Sequence, residues 1–324
     1  MSLIIIRIIR IQFGALGLFM KHSFIIPGTS NKPLAEKISK AANISVGKTL
    51  TGRFSNGEAQ IRVEEEIYGN TFYIVQSLSM PVDEHIMELC LIADALKRGG
   101  AEKIVAVVPW FGYGVQDKVF LPGESLSSKV VIDFLQTVGI HSLITVDLHS
   151  DNIIGFFEIP VVHITAVPLF AEYISKTYGK HTLVVSPDFG GAKRSRRFAK
   201  EMGQEGTIGI IDKERSLTTG AVELRGINLD VKNKVVVIPD DFISTGSTMI
   251  AVIPLLKKAG VKKVIACISH PLLVKDAAEK IAKSDLDELV VTDTVLIDDK
   301  KRKLLSKKLH TLPIASLIAP FMKV

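Results

Sequence analysis

Two adjacent carboxylates, Asp240 and Asp241, stand at the end of a short apolar run, and a loop of small residues follows them: Ser244-Thr245-Gly246-Ser247-Thr248. The run Val235 to Ile238 has the composition of a buried parallel strand, and the apolar stretch after the loop can form a helix. A strand, a short loop and a helix start make an anion site, because unpaired backbone N–H groups and the helix dipole both point at the loop. Gly246 would let the backbone come close to the anion, and the Ser and Thr hydroxyls add donors. The carboxylates cannot be phosphate ligands. They suit a neighbouring diol, or a metal ion on it. A phosphate beside a diol describes a sugar phosphate. The loop is not a Walker A sequence, which needs Gly-Lys and then Ser or Thr after a longer glycine spacing.

Further polar clusters follow other apolar runs. Tyr113-Gly114-Val115-Gln116-Asp117-Lys118 comes after Ile104–Val108 and opens an irregular loop, where ligands bind in parallel-sheet folds. Asp147-Leu148-His149 ends Leu143–Val146; the histidine suits a metal, a metal-bound phosphate, or equally a hydrogen-bonded loop position. In Ser186-Pro187-Asp188-Phe189-Gly190-Gly191, the Asp and paired glycines fit close approach to a ligand or Mg²⁺. The basic helix after it (Lys193, Arg194, Arg196, Arg197) fits a solvated face equally well. Lys213 and Arg215, at i and i+2 on extended chain, share one face and could clamp a phosphoryl group. Phe54-Ser55-Asn56-Gly57-Glu58 reads by itself as an Asn-Gly turn before the strand-like Ala59–Val63.

The elements that must position these groups alternate along the chain. Strands are expected at Ser23–Ile26, Thr71–Gln76, Lys103–Val108, Ser142–Val146, Thr182–Val185, Thr207–Ile211, Lys234–Ile238, Lys263–Ile268 and Glu288–Thr292. Helices are expected at Lys32–Ala42, Glu84–Arg98, Ser127–Val138, Ala166–Thr177, Lys193–Met202 and Met249–Ala259. Alternation of this kind predicts an α/β fold with mainly parallel sheets. The succession of strand, long helix and strand from Thr71 to Val108 is echoed from Lys234 to His270, which predicts two similar α/β domains. We expect an N-terminal extension over 1–22, one domain over 23–165 and a second, carrying the sugar-phosphate site, over 166–324. The active site should lie between them, at the carboxyl ends of the strands.

Composition narrows the partners. The 324 residues, 47% of them hydrophobic, are enough for two cored domains. A net charge of +6 is spread without basic blocks, and only 6% of residues are aromatic, which favours small polyanions over nucleic acid. Cys90 and Cys267 form neither a disulfide framework nor a metal pair, so a reducing, cytoplasmic setting is expected. Arg7 and Arg10 interrupt the apolar run before Met20, which fits neither a signal peptide nor a membrane span; no membrane contact is expected.

Taken together, Phe54–Glu58, Met87–Leu89, Asp94–Arg98, Tyr113–Lys118, Asp147–His149, Gly155–Phe157, Ser186–Gly191, Asp212–Arg215 and Asp240–Thr248 resemble, in order, the ribose-phosphate pyrophosphokinase (phosphoribosyl-diphosphate synthetase) family. The resemblance runs from Ser23 to about Val324. It implies two type I phosphoribosyltransferase-like domains and Mg²⁺-dependent transfer of diphosphate from ATP to the C1 hydroxyl of ribose 5-phosphate, giving AMP. Carried over residue by residue, it implies that Phe54, Asn56, Gly57 and Glu58 hold adenine, from a neighbouring subunit of a homo-oligomer, and that Gln116 contacts ATP. It further implies that His149 and Asp188 engage Mg²⁺ and that Lys213 and Arg215 stabilise the transferring group. Asp240 and Asp241 would then meet the ribose hydroxyls, with Ser244, Thr245, Gly246, Ser247 and Thr248 on the 5-phosphate. The chain departs from the family at Val115, where an Arg is usual; Lys118 is the nearest candidate to replace that charge. A non-catalytic regulatory member of the family, or a phosphoribosyltransferase, would share part of this pattern.

Overall fold

The computed structural model describes residues 21–205, 207–215 and 222–322. Residues 1–20 of the extension expected over 1–22 lie outside them. The strands are β1 (Ser23–Pro27), β2 (Ser45–Val46), β3 (Thr49–Arg53), β4 (Ala59–Val63), β5 (Thr71–Val75), β6 (Lys103–Val108), β7 (Ser142–Val146), β8 (Val161–Ile164), β9 (Leu183–Ser186), β10 (Gly209–Arg215), β11 (Val222–Ile227), β12 (Val235–Ile243), β13 (Lys263–Pro271), β14 (Glu288–Thr292) and β15 (Leu309–Leu312). The helices are α1 (Lys32–Ala42), α2 (Val82–Arg98), α3 (Ser127–Thr137), α4 (Val167–Tyr178), α5 (Ala192–Glu201), α6 (Ser247–Lys258), α7 (Ala277–Lys283), α8 (Asp299–Leu304) and α9 (Ala315–Ile318).

A first sheet has the order β2-β1-β5-β6-β7-β8, and a second the order β11-β10-β9-β12-β13-β14-β15. Every pairing in them is parallel except β10 with β11. The series β1, β5, β6, β7, β8 and the series β9, β12, β13, β14, β15 have the same spatial order, so the duplication is real at the level of topology. The excursions also correspond. The β3–β4 hairpin lies between the first strand and the second of its series, and the β10–β11 hairpin occupies the same place in the other half.

The all-apolar strands pack on both faces, and their alternation divides them between cores. Phe72 and Ile74 of β5 enter a cluster with α2 and α3, and Val236 and Ile238 of β12 enter one with α6 and α7. Tyr73 and Val75 of β5 and Val237 of β12 point the other way, into one cluster that both sheets share with α1, α4, α5 and α9. The chain end closes this middle layer. Ile318 and Met322 join Leu34 and Ile38 of α1 in it, and the Tyr73 hydroxyl donates to the Met322 carbonyl at 2.8 Å. Polar ties cross the same boundary: Asn31 Nδ2 donates to the Asp293 carbonyl at 2.9 Å, and Lys37 Nζ lies 2.7 Å from Asp293 Oδ2.

Strands run further than the sequence suggests where a neighbour continues beside them. β12 does not stop before the aspartates but continues through Pro239, Asp240 and Asp241 to Ile243. Its pairing with β9 covers only Val236 and Val237, while its pairing with β13 continues to Ile243. Beyond Val237 the strand has one neighbour, and a proline is tolerated where only one ladder must be satisfied. β10 likewise extends through Lys213 to Arg215, because β11 supplies an antiparallel partner. No described helix is long and apolar enough to cross a membrane.

Because one core joins both sheets, Ile318→Ala should cost about 2–5 kcal/mol, the usual range for a buried Ile truncated to Ala. Urea denaturation followed by both fluorescence and circular dichroism should show one coincident transition. Two separate steps, with only one shifted by the substitution, would contradict a shared core.

Candidate active site

A cleft of about 450 Å³ opens at the carboxyl ends of β9 and β12 and reaches the loop after β7. His149, Asp188, Asp240, Asp241, Ser244, Thr245, Gly246, Ser247 and Thr248 all line it, so nine sequence-derived site residues come together. Arg194, Pro187 and Phe242 complete much of the wall.

The expected loop and helix start are present after β12. α6 begins at Ser247, its cap is Gly246, and no side chain caps the first turn. The first-turn N–H groups are therefore left for a ligand. Gly246 has φ +73°, a left-handed conformation that disfavours any side chain. A Cβ there would point at Ile243, Ile250 and Ile281, not into the cleft. Backbone conformation thus demands this glycine more directly than close approach of an anion does.

The loop after β7 is set by Asp147. Its φ of +36° turns the chain out of the strand, and its carboxylate accepts from the Ala166 N–H at 3.0 Å and the Ser269 hydroxyl at 2.6 Å. The Leu148 N–H donates to His163 Nε2 at 2.9 Å. Burial lowers the His163 pKa, in keeping with a neutral ring that accepts there. His149 is held next in line, its ring edge-on to Phe242.

Around the paired carboxylates, the hydrogen bonds are nearly complete. His149 Nδ1 donates to Asp241 Oδ2 at 2.6 Å, and Arg194 Nη2 lies 2.9 Å from the same oxygen. The Phe242 N–H donates to Asp241 Oδ1 at 3.0 Å. Arg194 Nη1 also donates to Asp240 Oδ1, which accepts from the Asp241 N–H at 3.0 Å as well. Asp241 is only 3% exposed. Burial pushes the Asp240 carboxyl above the ordinary carboxylate range; Arg194 opposes that rise and the charge of Asp241 adds to it. For Asp241, burial is again the largest influence and acts upward, but the His149 hydrogen bond and Arg194 together outweigh it, so the carboxyl is held low. The His149 pKa is raised, chiefly by its hydrogen bond to Asp241.

Other predicted residues lie elsewhere. Gln116 Oε1 accepts from the Ser127 hydroxyl at 2.7 Å, and Gln116 is not part of the cleft wall. Phe54 to Glu58 form the tip of the β3–β4 hairpin, closed by a Phe54 N–H bond to the Glu58 carbonyl at 2.9 Å. Phe54 is 51% exposed and does not line its own chain's cleft. Lys118 lies over the Phe120 ring, 4.8 Å from its centre. Lys213 and Arg215 lie on β10, opposite Leu224 and Val222, but their side chains fall outside what is described. Among the described residues, no group of three or more His, Cys, Asp or Glu side chains is arranged to hold a metal ion. His149 and Asp188 face one cleft without forming such a cluster.

Sequence reasoning missed Arg194. A signal was present: it lies four residues before the fully buried Phe198, so the two share a helix face.

Comparisons with known proteins bear on this arrangement. Residues 23–139 match the N-terminal domain of ribose phosphate pyrophosphokinase, and residues 163–301 match the phosphoribosyl transferase domain. A ribose-phosphate pyrophosphokinase of Bacillus cereus is 40% identical over 289 residues, 89% of each chain. One of Aquifex aeolicus is 41% identical over 295 residues, 91% of this chain and 93% of the relative. The crystal structure of phosphoribosylpyrophosphate synthetase from Mycobacterium smegmatis superposes with a TM-score of 0.86 at 34% identity, covering 93% of this chain and 97% of that one.

The His149–Asp241 bond makes a pH prediction. A raised imidazole pKa contributes stability that is fully present below the unfolded value of about 6.5 and is lost as pH rises through the folded value. The depressed Asp241 carboxyl contributes stability present above its unfolded value of about 3.9 and lost as pH falls through the folded one. The pair is thus strongest in mildly acidic solution. In Asp241→Asn, the His149 titration followed by NMR should move downward. An unchanged His149 titration would show that Asp241 is not its partner in solution.

Proposed function

The chain belongs to the ribose-phosphate pyrophosphokinase family and is an enzyme of phosphoribosyl diphosphate synthesis; on that footing we propose that it transfers diphosphate from ATP to ribose 5-phosphate with the help of Mg²⁺, releasing AMP. The observation that carries this reading is the joining of an uncapped helix start and two acidic side chains in one cleft. The 5-phosphate would sit on Ser244 to Thr248, and the ribose hydroxyls would donate towards the carboxylates. The C1 oxygen would then face away from that loop, towards the space beside His149 and Asp188.

In the transfer, the C1 oxygen bonds to the β-phosphorus of ATP as the bond to the α–β bridging oxygen breaks. AMP leaves with that oxygen, and the hydroxyl proton passes to water. Phosphoryl-type transfer relies on positioning and charge neutralisation more than on a covalent nucleophile. Lys213 and Arg215 would supply cationic donors from the β10–β11 hairpin. Mg²⁺ would neutralise the ATP phosphates and strengthen the electrophile. A hard cation that keeps most of its water needs only one or two protein carboxylates besides substrate phosphates. Asp188 fits that sparse demand as an oxygen ligand, with His149 beside it on the cleft wall, better than the two fit a resident metal cage.

The exposed Phe54–Glu58 tip supports adenine recognition across a subunit boundary in a homo-oligomer, since it stands clear of the cleft in its own chain.

Purified enzyme given ATP, Mg²⁺ and ribose 5-phosphate should release AMP; chelation should abolish it. Lys213→Ala and Arg215→Ala should each lower kcat about 10²–10³-fold, the usual cost of a lost donor to developing charge, with a smaller effect on KM. No AMP above background would sink the reaction assigned here, and a pure KM effect would confine the two cations to ground-state binding.

Mixing offers a separate check on the subunit boundary. Phe54→Ala and Asp240→Ala proteins, each weakly active alone, should regain activity when unfolded and refolded together, because some sites then combine two intact halves. Activity equal to the average of the separate proteins would mean that each chain completes its own site.

A further inference from the structure

Arg194 is the one cation on the cleft wall, among the described residues, that touches both carboxylates at once. Its two terminal nitrogens divide between neighbouring side chains, one on Asp240 Oδ1 and one on Asp241 Oδ2. The planar, fixed spacing of a guanidinium suits this use, which a single ammonium point charge could not copy. The consequence differs for the two aspartates. Both Asp241 oxygens are occupied, by His149 and Arg194 on one side and the Phe242 N–H on the other. In Asp240, which lines the cleft, Oδ1 accepts from both Arg194 and the Asp241 N–H, so the contacts that fix this carboxylate are gathered on one oxygen. α5 itself is anchored by the buried Ser195, Phe198 and Ala199, so the guanidinium is presented from a packed element.

We propose that Arg194 is a positioning residue for sugar recognition: by holding Asp240 Oδ1, it turns Oδ2 towards the vicinal hydroxyls of the bound pentose and sets the preference for ribose over 2-deoxyribose 5-phosphate. This rests on the sugar-phosphate reading of the cleft. Arg194 touches no reacting atom in this account. It fixes an acceptor at a set distance from the phosphate loop, so that a sugar lacking the 2-hydroxyl loses a bond that ribose makes.

The test is calorimetric titration of the full-length enzyme, without nucleotide, using ribose 5-phosphate, 2-deoxyribose 5-phosphate and inorganic phosphate. Wild-type protein should prefer ribose 5-phosphate. In Arg194→Gln the ratio of the two sugar affinities should fall about tenfold or more, the scale of one charge-assisted hydrogen bond. Inorganic phosphate gauges any general loss of positive charge. Arg194→Lys should recover only part of the ratio. A ratio within threefold of wild type in Arg194→Gln, or equal weakening of all three ligands, would overturn the proposal. Should Arg194→Gln fail to fold by thermal melting, Arg194→Lys decides alone: a lowered ratio supports the positioning role and a wild-type ratio refutes it. If wild-type protein binds neither sugar phosphate more tightly than inorganic phosphate, the sugar-phosphate reading itself fails, and this inference with it.

Discussion

A carboxylate that is almost wholly removed from water must be paired, and the Asp241 carboxylate is paired from two directions. His149 comes from the loop after β7 in the first sheet's half, and Arg194 comes from α5 in the second. Breaking a buried charge pair by removing one partner usually costs about 3–5 kcal/mol, because the remaining charge stays buried. Asp241 therefore acts as a demand that both halves of the chain must meet together. The loop after β7, the β12 strand end and α5 can satisfy it only in one mutual arrangement, and that arrangement is the cleft.

The remaining parts are a packed loop and two hairpins. The Ser244–Thr248 loop joins β12 to α6 and is backed by the outer core of the second sheet, so its backbone is fixed by packing. The two hairpins are excursions instead, the first a separate two-stranded sheet and the second the edge of its main sheet. One carries Phe54 to Glu58 and the other Lys213 and Arg215, and they leave the duplicated fold at corresponding points. The same topological position has thus been given to a turn with an exposed aromatic tip in one half and to a strand pair with two cations in the other.

Much of this was legible in the sequence because the signals were local. The apolar runs at 71–75, 103–108 and 142–146 became buried parallel strands, and the Gly246 loop became a helix start, because each depends on neighbours in the chain. What escaped depended on distant partners. β12 outran its predicted end because β13 accompanies it past Pro239. β2, β8 and β15 are short edge or near-edge strands that gain their identity from the strand beside them. Arg194 is the clearest case. Its helix is basic enough to look solvated, and the fold shows one of its charges meeting two aspartates some 46 residues away. The Phe54–Glu58 tip and Gln116 show the reverse: their sequence matches are plain, yet neither lines the cleft of its own chain.

The middle core shared by the two sheets has a further consequence. It acts as a spacer whose thickness is the summed volume of side chains such as Phe170, Phe198, Ile318 and Met322. Close-packed interiors pass on changes of volume instead of absorbing them. A methylene gained or lost in that layer would therefore alter the separation of the sheets, and with it the reach from His149 to Asp241. Sequence drift deep inside this chain is geared to the width of its mouth, so residues remote from any ligand are bound by the same tolerance as those that touch it.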